Sequence, residues 1–338
     1  MGAVRGVADS GAPSPDEDEN VILVSGASGF IGRALVRGLL ADGHDVVAAV
    51  RRPSDALPDR VRQVTIADVD AATDWSQALD GVDAIVHLAA RTHLLRDSAA
   101  DPLSEFRRVN TAGTLSLARQ AAAAGVRRLV FISSIKVNGN ETLDQPFTAD
   151  DAPAPVEPYA QSKLEAERGL REIAAGSELE IVIVRPPLVY GPGAPGNFGR
   201  LIDAVARGLP LPLGAVRNRR SLVALGNLVD LIRLCIDDPR AASQTFLVSD
   251  GEDLSTTELL QRVGQALGRP ARLLPVPQRL LISVLGLLGK QALAQRLFGS
   301  LQVDIAKTRE LLAWSPPLTV DAALADTAQA YWKRDVAG

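Results

Sequence analysis

The sequence predicts a doubly wound α/β fold, with a parallel sheet flanked by helices and a smaller, mostly helical C-terminal region. Three observations predict it. Short Val/Ile/Leu-rich runs alternate with longer helical patterns from Asn20 onward. Those runs show no polar alternation, as expected of strands buried on both faces. The first run, "NVILVS", leads directly into "GASGFIG", where glycines punctuate a strand-to-helix turn.

The elements follow in order. "NVILVS" is the first strand, and a helix runs from about Ile31 to Asp42. "HDVVAAV" and "VRQVTIAD" are strands, followed by a short helix near Trp75 to Leu79. "DAIVHLAA" is the next strand, and a long helix spans about Leu103 to Ala124. "RRLVFISS" and "LEIVIVRPP" are strands on either side of a helix that starts near Tyr159. Strand–helix–strand repetition with right-handed crossovers makes the sheet parallel. After Pro186 the pattern loosens into Pro- and Gly-rich stretches such as "PPLVYGPGAPGNFGRL" and "GLPLPLG". The expected division is a tail over residues 1–19, a dinucleotide-binding domain over 20–186 and a second region over 187–338. "RSLVALGNLVDLI" and "TFLVSDG" are candidates to return to the main sheet.

The 338 residues are 46% hydrophobic, enough for a sizeable core. A net charge of −4 offers no bulk attraction to nucleic acid. The single Cys235 excludes an internal disulfide and a cysteine metal cluster. None of the three histidines has metal-ligand spacing, so no metal is expected. Residues 1–19 have no apolar run long enough for a signal peptide and read as a disordered acidic tail, so a cytoplasmic location is expected. "LLISVLGLLGKQALAQRLFG", Leu280 to Gly299, is too interrupted to span a membrane. It reads as a buried helix pair or a lid, with peripheral membrane contact as the alternative.

In "GASGFIG", Gly26 permits the tight turn, Gly29 lets the backbone approach a pyrophosphate, and Gly32 lets helix and strand pack closely. The phosphates would rest on the free N–H groups of a helix start, with Ser28, Phe30 and Ile31 beside them. This is a Rossmann-type turn. The second strand ends in Arg51 and Arg52 where an NAD binder usually carries an acid. Two guanidiniums suit a 2′-phosphate, which favours NADP(H) while NAD(H) stays open. Asp68 is a candidate for the adenine. Leu88, Ala89 and Ala90 end the next strand with residues that let a cofactor lie along the backbone.

"YAQSK" puts Tyr159 and Lys163 four apart on one helical face. An ammonium beside a phenol lowers its pKa toward working pH, which suits proton exchange at a carbonyl while a nicotinamide moves hydride. Ser134, in "FISSIKVNG", can hydrogen-bond the substrate oxygen, while Ser133 reads as structural or a cofactor contact. His87 reads as a satisfied core residue. His93 and Lys136 are candidates for the pocket mouth and the substrate, against a solvated Lys136.

The ordered set "GASGFIG", "HLAA", "RVNTAGT", "SSIKVNG", "YAQSK" and "RPPLVYGPG" resembles the extended short-chain dehydrogenase/reductase family. Within it, the resemblance is to the NAD-dependent epimerase/dehydratase group acting on nucleotide sugars, over about Asn20 to Trp332. It implies that Tyr159 is the acid/base, that Lys163 binds the nicotinamide ribose and that Ser134 is the hydroxyl partner. It further implies that Asn110 supports the active-site geometry and that Pro186 borders the nicotinamide. A homodimer through the helix near Leu115 to Ala124 and the Tyr159 helix is also implied.

Ile135 and Lys136 stand where dehydratases of the group carry an Asp-Glu pair, which disfavours dehydration. The absent acid after the second strand and Asn138 in "VNG" depart from the epimerases. The whole is most similar to bacterial UDP-4-keto-6-deoxy-N-acetylhexosamine 4-reductases of the UDP-N-acetylquinovosamine type. The alternative is a UDP-hexose or UDP-N-acetylhexosamine 4-epimerase with tightly bound NAD. By the same resemblance Asn197 touches the sugar or diphosphate, Leu213 lines the uracil, and Arg220 pairs with the diphosphate. The intact Ser134, Tyr159 and Lys163 argue against a non-catalytic binding protein.

Overall fold

The computed structural model describes residues 20–92, 101–289 and 291–337. The predicted tail, residues 1–19, and His93 lie outside the described residues. The strands are β1 Val21–Ser25, β2 Asp45–Val50, β3 Arg62–Thr65, β4 Ala84–His87, β5 Arg128–Ile132 and β6 Glu180–Arg185. Four shorter strands follow: β7 Leu188–Tyr190, β8 Arg220–Ala224, β9 Thr245–Leu247 and β10 Asp253–Leu254. Between them lie helices α1 Phe30–Ala41, α2 Ser76–Leu79, α3 Pro102–Phe106, α4 Thr114–Ala123, α5 Pro158–Ala175 and α6 Gly196–Ala206. The rest are α7 Leu225–Asp237, α8 Thr256–Ala266, α9 Gln278–Leu287, α10 Gln291–Phe298, α11 Ala306–Leu312 and α12 Val320–Ala337.

Seven strands form one sheet in the order β3-β2-β1-β4-β5-β6-β9, parallel throughout. The order reverses between β1 and β4, and a crevice opens at their carboxyl ends. One face of the sheet is covered by α1 and α7, where Leu35, Val36 and Leu39 share a core with Leu228, Leu231 and Ile232. The other face is covered by α2, α4 and α5, with Trp75, Leu117, Ala166 and Leu170 in its core. A third core, around Tyr190, Phe198, Leu213 and Leu260, belongs to the C-terminal region. The two segments expected to return divide their roles. "TFL" joins the main sheet as β9, and α7 covers that sheet, but "RSLVA" pairs with β7 and β10 in a separate small sheet.

The long helix expected over Leu103 to Ala124 is interrupted by a π-helical stretch, Arg107–Gly113, between α3 and α4. Its widened turn carries Asn110, and a Cβ on Gly113 would stand 2.7 Å from a Val69 methyl. Such insertions are enriched at functional sites, and this one lies beside the crevice.

Candidate active site

The crevice holds a cavity of about 770 Å³ lined from the ends of β1 to β6 and the starts of α1 and α5. Gly26, Ser28, Gly29, Phe30, Ile31 and Gly32 form one wall. Gly26 has φ +72°, and a Cβ there would stand 2.9 Å from Ala89 N, so β1 and β4 pass too closely for a side chain. A Cβ on Gly32 would stand 2.2 Å from the Gly26 carbonyl oxygen. Gly29 caps α1 in an extended conformation, and the first turn carries no acidic side chain. The open N–H groups of α1 therefore face the cavity with no competing carboxylate, which suits a diphosphate. A dinucleotide fits the residues present.

Leu88, Ala89, Ala90 and Pro186 line the same cavity, as expected. Arg51 and Asp68 lie at its outer end. Arg52 lies in the adjoining surface hollow, with Ser28, Arg51 and Asp68. Burial opposes ionisation of Asp68, but Arg108 at 2.9 Å and the Val69 N–H outweigh it and hold the carboxyl below its usual range. Arg108, which the sequence reading missed, also lines the cavity and bridges to Asp70.

At the inner end stand Ser133, Ser134, Tyr159 and Lys163. The Tyr159 phenol and Ser134 share a hydrogen bond. Ser134 also caps a short 3-10 turn by accepting from Lys136 N. The Lys163 ammonium lies 4.1 Å from the centre of the Phe131 ring and is buried. The expected lowering of the Tyr159 pKa by Lys163 is not what the geometry produces. Burial pushes the Tyr159 phenol up to about 12, with Glu157 adding in the same direction, and pushes Lys163 down to about 7. Desolvation dominates both groups.

Behind Lys163 lies a buried network absent from the sequence reading. Glu167 accepts from Ser133 Oγ at 2.6 Å and from the Arg185 guanidinium at 2.5 and 2.9 Å, and Arg185 also donates to Asn138. Glu167 raises the Lys163 pKa against the burial that lowers it. The signal was available, because Glu167 follows Lys163 by four residues on the same helical face.

Asn110 is buried and stands behind the cavity wall. It accepts from Arg91 N at 2.8 Å and donates to Arg91 O and to Ser162 Oγ, so it ties the strand end to α5 and is not among the residues that line the cavity. His87 is a satisfied core residue: its ring nitrogens pair with Ser25 Oγ at 2.6 Å and Thr114 Oγ1 at 2.9 Å. Burial pushes its pKa down to about 3.

The remaining substrate candidates are not gathered into this cavity. Lys136 is not a wall of it; its side chain is partly exposed and its Nζ pairs with Glu157 at 2.6 Å. Leu213 is buried in the C-terminal core. Asn197 is exposed in the first turn of α6. Arg220 donates to the Gly299 carbonyl at 3.0 Å, and burial pulls its pKa down. Among the described residues no group of three His, Cys, Asp or Glu side chains gathers as a metal site, and no helix is long and apolar enough to cross a membrane.

Comparison with known proteins bears on this site. The sequence pattern of the NAD dependent epimerase/dehydratase family matches residues 22–249. A Vibrio cholerae protein named UDP-glucose 4-epimerase is 46% identical over 313 residues, covering 92% of this chain and 95% of its own. The N-acetyl-alpha-D-glucosaminyl-diphospho-ditrans,octacis-undecaprenol 4-epimerase of Escherichia coli O157:H7 is 31% identical over 278 residues, covering 80% of this chain and 78% of its own. The solved structure of MoeE5 in complex with UDP-glucose and NAD superposes with a TM-score of 0.75 at 27% identity, over 94% of this chain and 100% of that one.

Proposed function

Since the chain belongs to the NAD-dependent epimerase/dehydratase family, we propose that it is a nucleotide-sugar 4-epimerase that retains NAD and acts on a UDP-hexose or UDP-N-acetylhexosamine. The observation that carries carbinol–ketone chemistry is the Tyr159–Ser134 pair at the inner end of the cavity, with Lys163 one helical turn away. The choice of epimerisation is supported by the Vibrio cholerae relative.

A nicotinamide bound here would accept a hydride from C4 and return it. Gly26, Gly29 and Gly32 would hold its diphosphate at the start of α1, and Lys163 its ribose. Ser134 Oγ would hold the C4 oxygen beside the Tyr159 hydroxyl. The ionised phenol of Tyr159 would take the proton of that oxygen as the carbinol is oxidised and give it back as the ketone is reduced. Asn197, Leu213 and Arg220 would hold the remainder of the sugar nucleotide, and α4 and α5 would form a homodimer contact.

A second reading is supported by specific observations. Arg51 and Arg52 follow β2 directly, with no acid at the end of that strand, which suits NADP(H). A phenol pushed up to about 12 is a neutral proton donor, which is what reduction of a 4-keto sugar requires. The two readings part on cofactor exchange. The purified protein is denatured and the released dinucleotide identified. UDP-glucose is then offered alone, and a UDP-4-keto-6-deoxy-N-acetylhexosamine with NADPH. Resident NAD and conversion of UDP-glucose to UDP-galactose without added cofactor are expected. No resident dinucleotide, with NADPH consumed in step with the keto sugar, would replace epimerisation by reduction.

A further inference from the structure

The C-terminal region presents a surface that the catalytic reading leaves unused. In the hairpin of α9 and α10, Leu281 and Leu285 of α9 and Leu297 and Phe298 of α10 pack inward on the C-terminal core. That inner stripe accounts for the fold. Further apolar side chains flank that stripe on the outside of α9, next to Arg279 and Ser283. Leu280, Ile282 and Val284 are exposed, and Leu287 and Leu288 at its end are 90% and 62% exposed. Apolar side chains left exposed in a cluster outside the packed stripe of a helix point to a surface that covers them. No residue of α9 is buried. Of the eleven large exposed apolar residues among the described ones, seven lie between Leu274 and Leu293.

The charge of the same stretch points to what covers it. Between Glu258 and Asp304 the sequence contains no acidic residue, while Arg272, just before the hairpin, and Arg279, in the first turn of α9, are both exposed. The chain as a whole carries −4. Exposed apolar side chains next to arginines and free of acids, in an otherwise acidic protein, are complementary to an anionic lipid surface, where side chains enter the acyl boundary and cations meet headgroups. A second copy of the chain would bring the same cations against each other.

We propose that the α9–α10 hairpin docks this protein on an anionic bilayer surface, with Leu280, Ile282, Val284, Leu287 and Leu288 entering the interface and Arg272 and Arg279 facing the headgroups. The contact is peripheral, since no described helix is long and apolar enough to cross. The inner side of the hairpin is tied to the segment carrying Leu213 and Arg220. Gly214 N donates to Leu274 O at 2.9 Å, and Asn218 and Arg220 donate to the Gly299 carbonyl. Docking therefore brings that segment to the membrane side of the molecule. The inference stands apart from the proposed reaction, because it is read by binding.

The test is sedimentation of the full chain with vesicles of phosphatidylcholine alone or with phosphatidylglycerol, at low and high salt. Binding to the anionic vesicles is expected, weakened by salt and by Arg272→Gln/Arg279→Gln. Leu287→Glu/Leu288→Glu is expected to cut it by about tenfold or more while leaving turnover of a soluble sugar nucleotide unchanged. No binding by the unaltered chain overturns the inference, as does binding that the Leu287→Glu/Leu288→Glu protein retains. Loss of self-association in that variant, with no vesicle binding by the parent, would make the hairpin a contact between copies and also overturn it.

Discussion

Tyr159 was legible because its chemistry depends on a spacing within one helix, and a spacing of four residues survives in the sequence unchanged. Its protonation was not, because burial is a property of the assembled molecule. Replacing Tyr159 with Phe removes the proton carrier and keeps the ring beside Phe106. Turnover is expected to fall by roughly 10²–10⁴-fold with dinucleotide retention unchanged; full activity in the variant would exclude Tyr159 as acid/base. His87 illustrates the same divide. A histidine inside a Val/Ile run reads as core, but only the register that sets Ser25 beside it, with Thr114 on α4, explains how it is satisfied. With the folded pKa near 3 and an ordinary value of 6.5, the unfolded chain binds a proton that the native state refuses. Stability is therefore fully present above pH 6.5 and is lost as pH falls toward 3. Between pH 6.5 and 5, before most carboxylates titrate, the loss should be about 2 kcal/mol. Urea midpoints across that window should move less in a His87→Gln protein; an equal slope in both would assign the acid sensitivity elsewhere.

Between elements, the closest coupling at the site is the ion pair that joins α5 to β6. Glu167 and Arg185 are both buried, and their hydrogen bonds also fix Ser133 and Asn138. Removing one partner leaves the other charge buried without its counterion, which costs about 3–5 kcal/mol. Glu167→Leu should therefore lower the unfolding free energy by that amount, and Glu167→Leu/Arg185→Leu should recover part of it. An additive double variant, measured by denaturant unfolding, would show that the pair is not coupled. The π-helical turn around Asn110 is a second joint of this kind. The sequence pattern there is helical throughout, and what widens it is the need to meet Arg91 and Ser162 from two neighbouring elements at once. The ion pair of Lys136 was not legible for a related reason. Its partner Glu157 lies 21 residues away, just before α5, and no local pattern announces such a pair.

At the scale of the whole molecule, the glycine-rich turn, the strand order up to β6 and the catalytic segment follow from local patterns, but the division near Pro186 does not describe a cut between independent parts. The chain crosses back. β9 pairs with β6 through Ile183–Thr245, Val184–Phe246 and Arg185–Leu247, so without it β6 becomes an open edge. Helix α7 covers the sheet with Leu228, Leu231, Ile232 and Cys235, all fully buried. Each such apolar side chain is worth about 1.5–3 kcal/mol in place, comparable in sum to the whole stability of a domain. The buried Arg128 guanidinium adds a polar reason, because it donates to the carbonyl groups of Cys235, Ile236 and Asp238 at the end of α7. A fragment ending at Pro186 would leave those donors without partners, a apolar sheet face in water and an unpaired strand. It is expected to aggregate, or to remain compact without fixed packing, when followed by size-exclusion chromatography and near-ultraviolet circular dichroism. A fragment ending after β9 and α11 restores the edge and the covering helix, and should regain a cooperative transition. If the shorter fragment were monomeric and unfolded cooperatively, the returning segments would be accessory, and α1 alone would have to suffice to cover that face of the sheet.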